Sequence, residues 1–290
     1  MKYAFIDAHR VHYPVPMMCE LFEVSRSGYH AWRGRGPSPR ELENTRMVAQ
    51  IRVIHAASDG SYGSPRVYEE LRAQGNVVSL NRVRRLMKKN GIAARHKRKF
   101  RATTDSRHGL PVAPNRLEQN FVAERLDQVW LTDVTYLWTD EGWLYLACVL
   151  DLYSRRIVGW AMSERNDRHL AIAALGMAYF QRRPPRGLVH HSDRGSVYCS
   201  HDYQKLVQQY GMVCSMSRKG DCYDNAPMES WFKTLKVERV NLQRYATRAQ
   251  ARSDVFSYIE AFYNPRRRHS SLGYVSPREF ERRLAAKEAA

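Results

Sequence analysis

Residues 128–163 hold three apolar stretches in succession, "QVWLTDVTYL", "WLYLACVLDLYS" and "RRIVGWAMS", separated only by short polar turns at Asp140-Glu141-Gly142 and Ser154-Arg155. Stretches this rich in Val, Leu, Tyr and Trp, bounded by turn residues, read as sequential strands. A helix is predicted next, from about Arg168 to Gln181, stopped by Arg183-Pro184-Pro185 because the residue before a proline is pushed out of helical geometry. "GLVHHSD" then reads as a strand, "HDYQKLVQQYG" as a helix and "MVCSMS" as a strand; "NAPMESWFKTLKVERV" is a last helix, with Pro227 tolerated in its first turn. Three strands followed by helix, strand, helix, strand, helix is an α/β order built on a mixed central sheet with flanking helices.

The chain ahead of this core reads as helical. "PVPMMCELFEVSRSGYHAW" has the outline of a short helix, a turn and a second helix starting near Ser25 or Ser27, before a Gly/Pro break at Gly34–Arg40. A helix from about Arg40 to Ala57, one from Pro65 to Ala73, and one capped at Ser79 and stopped at Gly91 form a second, clearer helix-turn-helix outline. In the last of these, Val83, Leu86 and Met87 form the apolar stripe, while Arg82, Arg85, Lys88 and Lys89 are expected to project outward against phosphates. From Arg82 to Arg101 there are ten Lys or Arg residues, including Lys97, Arg98 and Lys99, and no acid. The net charge of +18 points the same way, to a polyanionic partner, most simply nucleic acid. The divisions expected are 1–36 and 37–100 as helical DNA-binding segments, 101–125 as an extended connector, 126–240 as the core, and 241–290 as a helical and basic C-terminal segment with one long helix from about Arg248 to Tyr263.

Within the core, three acids stand where strand ends or a helix start are predicted: Asp133 in "WLTDVTYL", Asp193 in "HHSDRGSVY" and Glu229 in "DNAPMES". If the first and fourth strands are neighbours, Asp133 and Asp193 project together and repel unless a cation lies between them. Glu229 approaches from the helix, at its positive end. Three carboxylates make a hard oxygen site suited to Mg²⁺ or Mn²⁺, and such sites commonly hold two ions about 3.5–4 Å apart. Lys233 and Lys236 share the helical face of Glu229 and are expected along a DNA strand; Arg218 and Lys219, in the preceding loop, are either a DNA clamp or solvated. Asp151 and Asp221 are the substitutes should one acid be misassigned, and Asn225 reads as a cap or hydrogen-bond partner near the site.

Other chemistries are disfavoured. His190, His191 and the cysteines Cys199, Cys214 and Cys222 lack paired zinc spacing. Five cysteines at irregular intervals fit reduced thiols. The longest apolar run, Trp143 to Leu150, is too short to span a bilayer, and "MKYAFIDAHR" lacks a secretory apolar stretch, so a cytoplasmic, nucleoid-associated protein without a membrane partner is expected.

The order of elements and the spelling "WLTDVTYL … HHSDRGSVY … DNAPMES" resemble the catalytic core of insertion-sequence transposases, in the superfamily that includes retroviral integrases. The second-frame transposases of the IS3 family are the nearest likeness. "SYGSPRVYEEL" resembles that family's helix-turn-helix segment, and "YNPRRRHSSLGYVSP" its C-terminal motif. Between the second Asp and the Glu lie 35 residues, the family's typical interval. The resemblance implies a ribonuclease-H-like fold, a metal-binding triad at Asp133, Asp193 and Glu229, and cleavage and joining of an element's terminal inverted repeats to target DNA. It also implies a homo-oligomer on two DNA ends and an upstream-frame protein or fusion. A nuclease that cuts without joining, and a DNA-binding regulator without catalysis, are the alternatives.

Overall fold

A computed structural model describes residues 2–95, 111–218 and 222–289. Lys97, Arg98, Lys99, Lys219 and Asp221 lie outside the described residues.

The N-terminal part is helical: α1 (Lys2–His9), α2 (Val15–Leu21) and α3 (Arg26–Gly34), then α4 (Pro39–Ala57), α5 (Ser64–Ala73) and α6 (Leu80–Lys89). The first helix went unread in the sequence. Ser25 caps α3 and Ser79 caps α6, each side-chain oxygen accepting a backbone N–H three residues on. Ser38 and Glu41 form a reciprocal capping box on α4. The first three helices close over Ile6, Met18, Cys19 and Tyr29. The next three close over a separate core that includes Ile51, Val67, Leu71, Val83, Leu86 and Met87, which is the stripe expected of α6.

The core sheet has the order β3-β2-β1-β4-β5, with β1 (Val129–Thr139), β2 (Gly142–Asp151), β3 (Ile157–Ser163), β4 (Val189–Ser192) and β5 (Val213–Met216). The first three strands are antiparallel, as tight turns require, and β4 and β5 run parallel to β1. Helix α7 (Arg168–Arg182) makes the crossover to β4. A short helix α8 (Ser196–Cys199) and α9 (His201–Gln209) lead to β5, and α10 (Ala226–Glu238) follows. Side chains alternate along β1. Val129, Leu131 and Leu137 face a core shared with Met228, Trp231, Phe232 and Leu235 of α10, while Trp130 faces one shared with α7. Burying each large α10 side chain contributes about 1.5–3 kcal/mol. Gly159 allows α7 to lie directly on β3, since a Cβ there would stand 2.4 Å from the Ala174 carbonyl oxygen. This is the ribonuclease-H-like arrangement.

Two flanking segments pack onto the core. Residues 111–125, the described part of the expected connector, line the β5 edge: the Arg116 N–H donates to Ser215 Oγ at 2.9 Å, and Leu117 is buried in the core. The C-terminal segment is also built into the core. Helix α11 (Arg248–Ser257) continues as a π-helical turn, Tyr258–Tyr263, that buries Tyr258, Ile259 and Tyr263. Asn264 then mimics a strand neighbour, accepting from Ile157 N–H and donating to its carbonyl, both at 3.0 Å. The last helix is α12 (Pro277–Glu288).

Candidate active site

β1 and β4 pair with Val129 opposite Val189, Trp130 opposite His190 and Leu131 opposite His191. Two residues beyond the last pair on each chain stand Asp133 and Asp193, past the end of the β1–β4 ladder, and the Asp193 charge acts on Asp133. β4 ends at Ser192, and Asp193 opens the turn into α8. The turn is tight: Gly195 N–H donates to Asp193 Oδ1 at 2.9 Å, and a Cβ on Gly195 would stand only 3.0 Å from that oxygen.

Glu229 lies in the first turn of α10. Asn225, just ahead of the helix, is buried and donates from Nδ2 to the Thr132 carbonyl at 3.2 Å, which fastens the start of α10 to β1 beside Asp133. Burial pushes the Asp133 carboxyl well above its ordinary range, and the nearby charges of Asp193 and Glu229 push it further. The Val134 N–H, donating at 2.7 Å, and the Lys236 ammonium oppose that rise. Glu229 is more open to solvent, yet desolvation by the surrounding protein raises its carboxyl too. The three acids share one electrostatic neighbourhood. Among the described residues, no three His, Cys, Asp or Glu side chains already close around a common metal-binding point.

The two adjacent histidines of β4 are buried. The His191 Nε2–H donates to the Asp224 carbonyl at 2.9 Å, because a carbonyl only accepts, which leaves Nδ1 to receive the Ser215 hydroxyl at 2.9 Å. His190 is buried, 2.6 Å from the Tyr203 hydroxyl, and burial lowers its pKa to about 3. Both are neutral at physiological pH, in keeping with structural roles. Asp151, the first substitute, is a buried turn acid that receives the N–H groups of Asp127 and Ser154.

Asp224 was missed in the sequence. Its side chain is fully buried and receives Arg218 through the backbone N–H and guanidinium, Asn115 Nδ2 at 3.0 Å and Gln119 Nε2 at 3.1 Å. The Arg218 hydrogen bonds hold its carboxyl down at about 2. One acid thus joins residues 115–119, the end of β5 and the start of α10. Only the adjacency of Asp224 to Asn225 hinted at this: Arg218 is six residues away, but Asn115 and Gln119 are distant in sequence.

The expected basic residues divide. Arg85, Lys88 and Lys89 are exposed on α6, and Lys233 is exposed on α10. Arg82 departs from its expected outward projection: it pairs with Glu43 at 2.8 Å and donates to Asn44 on α4, because its stem leaves α6 on the side that packs against α4. Arg218 is engaged by Asp224 rather than standing as a free clamp. Lys236 is half-buried, its Nζ 4.9 Å from the centre of the Tyr136 ring.

The integrase core domain family matches residues 123–222 and, in a second form, 210–277; an HTH-like domain family matches 41–100. Among solved structures, the catalytic core of BIV integrase is similar at 14% identity and a TM-score of 0.41, over 57% of this chain and 99% of that one. The HTLV-2 integrase catalytic core in complex with magnesium is similar at 14% identity and a TM-score of 0.38, over 53% of this chain and 96% of that one. An insertion element IS600 31 kDa protein of Shigella sonnei is 49% identical over 91% of this chain and 97% of its own length. The InsF transposase of insertion sequence IS3A from Escherichia coli is 43% identical over 99% of this chain and all of its own length. With that identity along its whole length, the chain belongs to the IS3 family of insertion-sequence transposases.

Proposed function

We propose that this chain cleaves the ends of an insertion sequence and joins them to target DNA, with Asp133, Asp193 and Glu229 as the catalytic, metal-holding acids. The observation that carries the reading is the convergence of the acids: Asp133 and Asp193 each follow by two residues the last β1–β4 pair, the charges of Asp193 and Glu229 both act on buried Asp133, and the start of the Glu229 helix is fastened to β1 beside it. The donor set suits a hard divalent cation, Mg²⁺ or Mn²⁺, because it offers carboxylate oxygens alone. The raised Asp133 carboxyl supports this, since like charges held near a buried acid favour the charged form only when a cation joins them. When bound, two such ions would supply activation of the attacking oxygen and stabilisation of charge at the leaving oxygen.

The protein's own groups do the positioning. Asn225 holds the start of α10 against β1, Asp224 ties it to His191 of β4 and to residues 115–119, and the Gly195 N–H holds the Asp193 carboxylate. Exposed Lys233 follows one turn after Glu229 and neutralises a strand leading to the acids. Arg85, Lys88 and Lys89 on α6 hold duplex backbone further out, with the helical segments 1–36 and 37–100 reading the terminal repeats and 126–240 acting as the catalytic core. Water attack frees a 3′ hydroxyl and that hydroxyl attacks a second phosphodiester; both are in-line displacements that depend on holding the nucleophile near phosphorus. Neither needs a covalent enzyme intermediate. The active form is an oligomer bridging two DNA ends, with an upstream-frame product as partner or fusion.

The deciding experiment is a strand-transfer assay on an end substrate with a free 3′ hydroxyl. A joined product that disappears in Asp193→Asn, while DNA retention persists, is expected. Hydrolysis with no joined product would leave a nuclease, and intact activity in Asp193→Asn would remove the triad.

A further inference from the structure

The tip of the β1–β2 hairpin exposes three aromatic side chains: Tyr136 is 40% exposed, Trp138 57% and Trp143 42%. Tyr136 and Trp138 flank the buried Leu137 on β1, so they share the opposite face, and Trp138 stands directly across from Trp143. The rings form a rigid set. The Trp138 and Trp143 centroids are 4.8 Å apart at 76°, and those of Tyr136 and Trp143 are 5.0 Å apart at 81°. In such edge-to-face pairs one ring spends an edge on its neighbour, and ring faces remain for another flat partner.

The cluster lies round the edge of β1 from the candidate active site. Tyr136 is three residues beyond Asp133 on the same strand and points to the other face, and among the described residues no strand pairs with β1 on the β4 side past Leu131, so that edge is open between the two faces. Lys236 spans the two places, since its charge acts on Asp133 while its Nζ lies over the Tyr136 ring. On the other flank, Arg248 Nε donates to the Trp143 carbonyl at 3.1 Å while its guanidinium pairs with Glu164, which fixes the hairpin tip. Aromatic faces beside the Lys236 cation match a chain that alternates flat bases with phosphates.

We propose that Tyr136, Trp138 and Trp143 form a stacking platform for unpaired bases of the DNA end that is processed at the neighbouring acids, an inference that rests on the transposase reading. Reaction at a duplex terminus separates the reacting strand from its complement and costs base stacking. Aromatic faces beside the reacting phosphate restore that stacking and accept any base, because every base has a π-face. The Lys236 cation at the Tyr136 ring favours this occupant over a second copy of the protein, whose own charge is also strongly positive.

The test uses the full chain and two DNA probes, a blunt duplex and the same duplex carrying about four unpaired nucleotides at one 3′ end. Wild-type protein should bind the tailed probe more tightly, and Trp138→Ala should weaken tailed binding roughly tenfold while shifting blunt-duplex binding by less than about twofold. Trp138→Phe, which keeps an aromatic face, should restore most of the difference. Blunt-duplex binding also reports folding, and Tyr136→Ala provides an independent variant. Equal loss on both probes, or no loss on either, would overturn the platform. So would a change in sedimentation with probe preference unaltered, which assigns the patch to contact between copies. Absence of strand transfer with tail preference intact counts against the transposase reading, whereas absence of tail preference with strand transfer intact counts against the platform.

Discussion

The two ends of α10 treat a carboxylate in opposite ways. At the last turn, Glu238 is buried and receives two Arg267 hydrogen bonds of 2.6 Å and the Tyr258 hydroxyl at 2.8 Å, with Arg66 3.8 Å away. At the first turn, Glu229 stands near two more acids, and the buried one, Asp133, is driven toward its neutral form. A buried acid that serves the fold is neutralised by the fold. An acid cluster left repelling itself lowers the stability of the protein alone and gains it back from whatever cation binds. The same helix therefore carries a closed latch and an open site some two turns apart.

The largest effect should come from breaking the open end. Asp193→Asn is expected to reduce both cleavage and joining by on the order of 10⁴-fold, as loss of one member of a catalytic set does, with filter retention of DNA unchanged. Removing one partner of the closed end comes next. Arg267→Ala leaves Glu238 buried without its cation and should cost about 3–5 kcal/mol in urea unfolding, whereas the paired change Arg267→Met with Glu238→Gln should cost much less. If the single and paired variants unfold alike, the latch contributes packing and not charge compensation.

A third experiment separates the two ends by pH. Because Asp133 is held above its ordinary range, the folded state binds its proton more tightly than the unfolded chain does. Its contribution to stability therefore falls as pH rises from about 4 through the raised value. In chelator, the melting temperature of wild type relative to Asp133→Asn should decline over that window, and Mg²⁺ or Mn²⁺ should raise it for wild type alone. Equal melting temperatures for wild type with and without Mg²⁺ or Mn²⁺ would sink the carboxylate site. The smallest effects lie on α6, where Lys88→Ala should reduce the slope of log affinity against log salt by about 1. Arg82→Ala should leave that slope unchanged, since Arg82 already has Glu43 and Asn44.

Much of this was legible because it is local. Alternation along β1, the Ser25 and Ser79 caps, and the apolar stripe of α6 each depend on residues within a turn or a strand of one another. Asp133, Asp193 and Glu229 could be nominated because Asp133 lies within the first predicted strand, Asp193 at the end of the fourth and Glu229 at a helix start, and β1 and β4 are neighbours, as that nomination required. The hub at Asp224 was illegible for the converse reason. Its partners are Asn115 and Gln119, more than a hundred residues earlier, and nothing in a local period marks an acid that will be buried.

Sequence alone thus determined the order of strands and helices and the mixed sheet, since these follow from periodicity and turn chemistry, and it nominated the three acids of the proposed site. Tertiary structure decided which charges are free to act. The run Arg266-Arg267-Arg268 reads as a basic turn, yet Arg267 is buried on Glu238 and Arg268 pairs with Glu70 across 198 residues, tying the C-terminal motif to α5. A long charged side chain reaches whatever the fold brings near, and only the assembled chain determines whether that is a carboxylate of its own or a phosphate of the substrate.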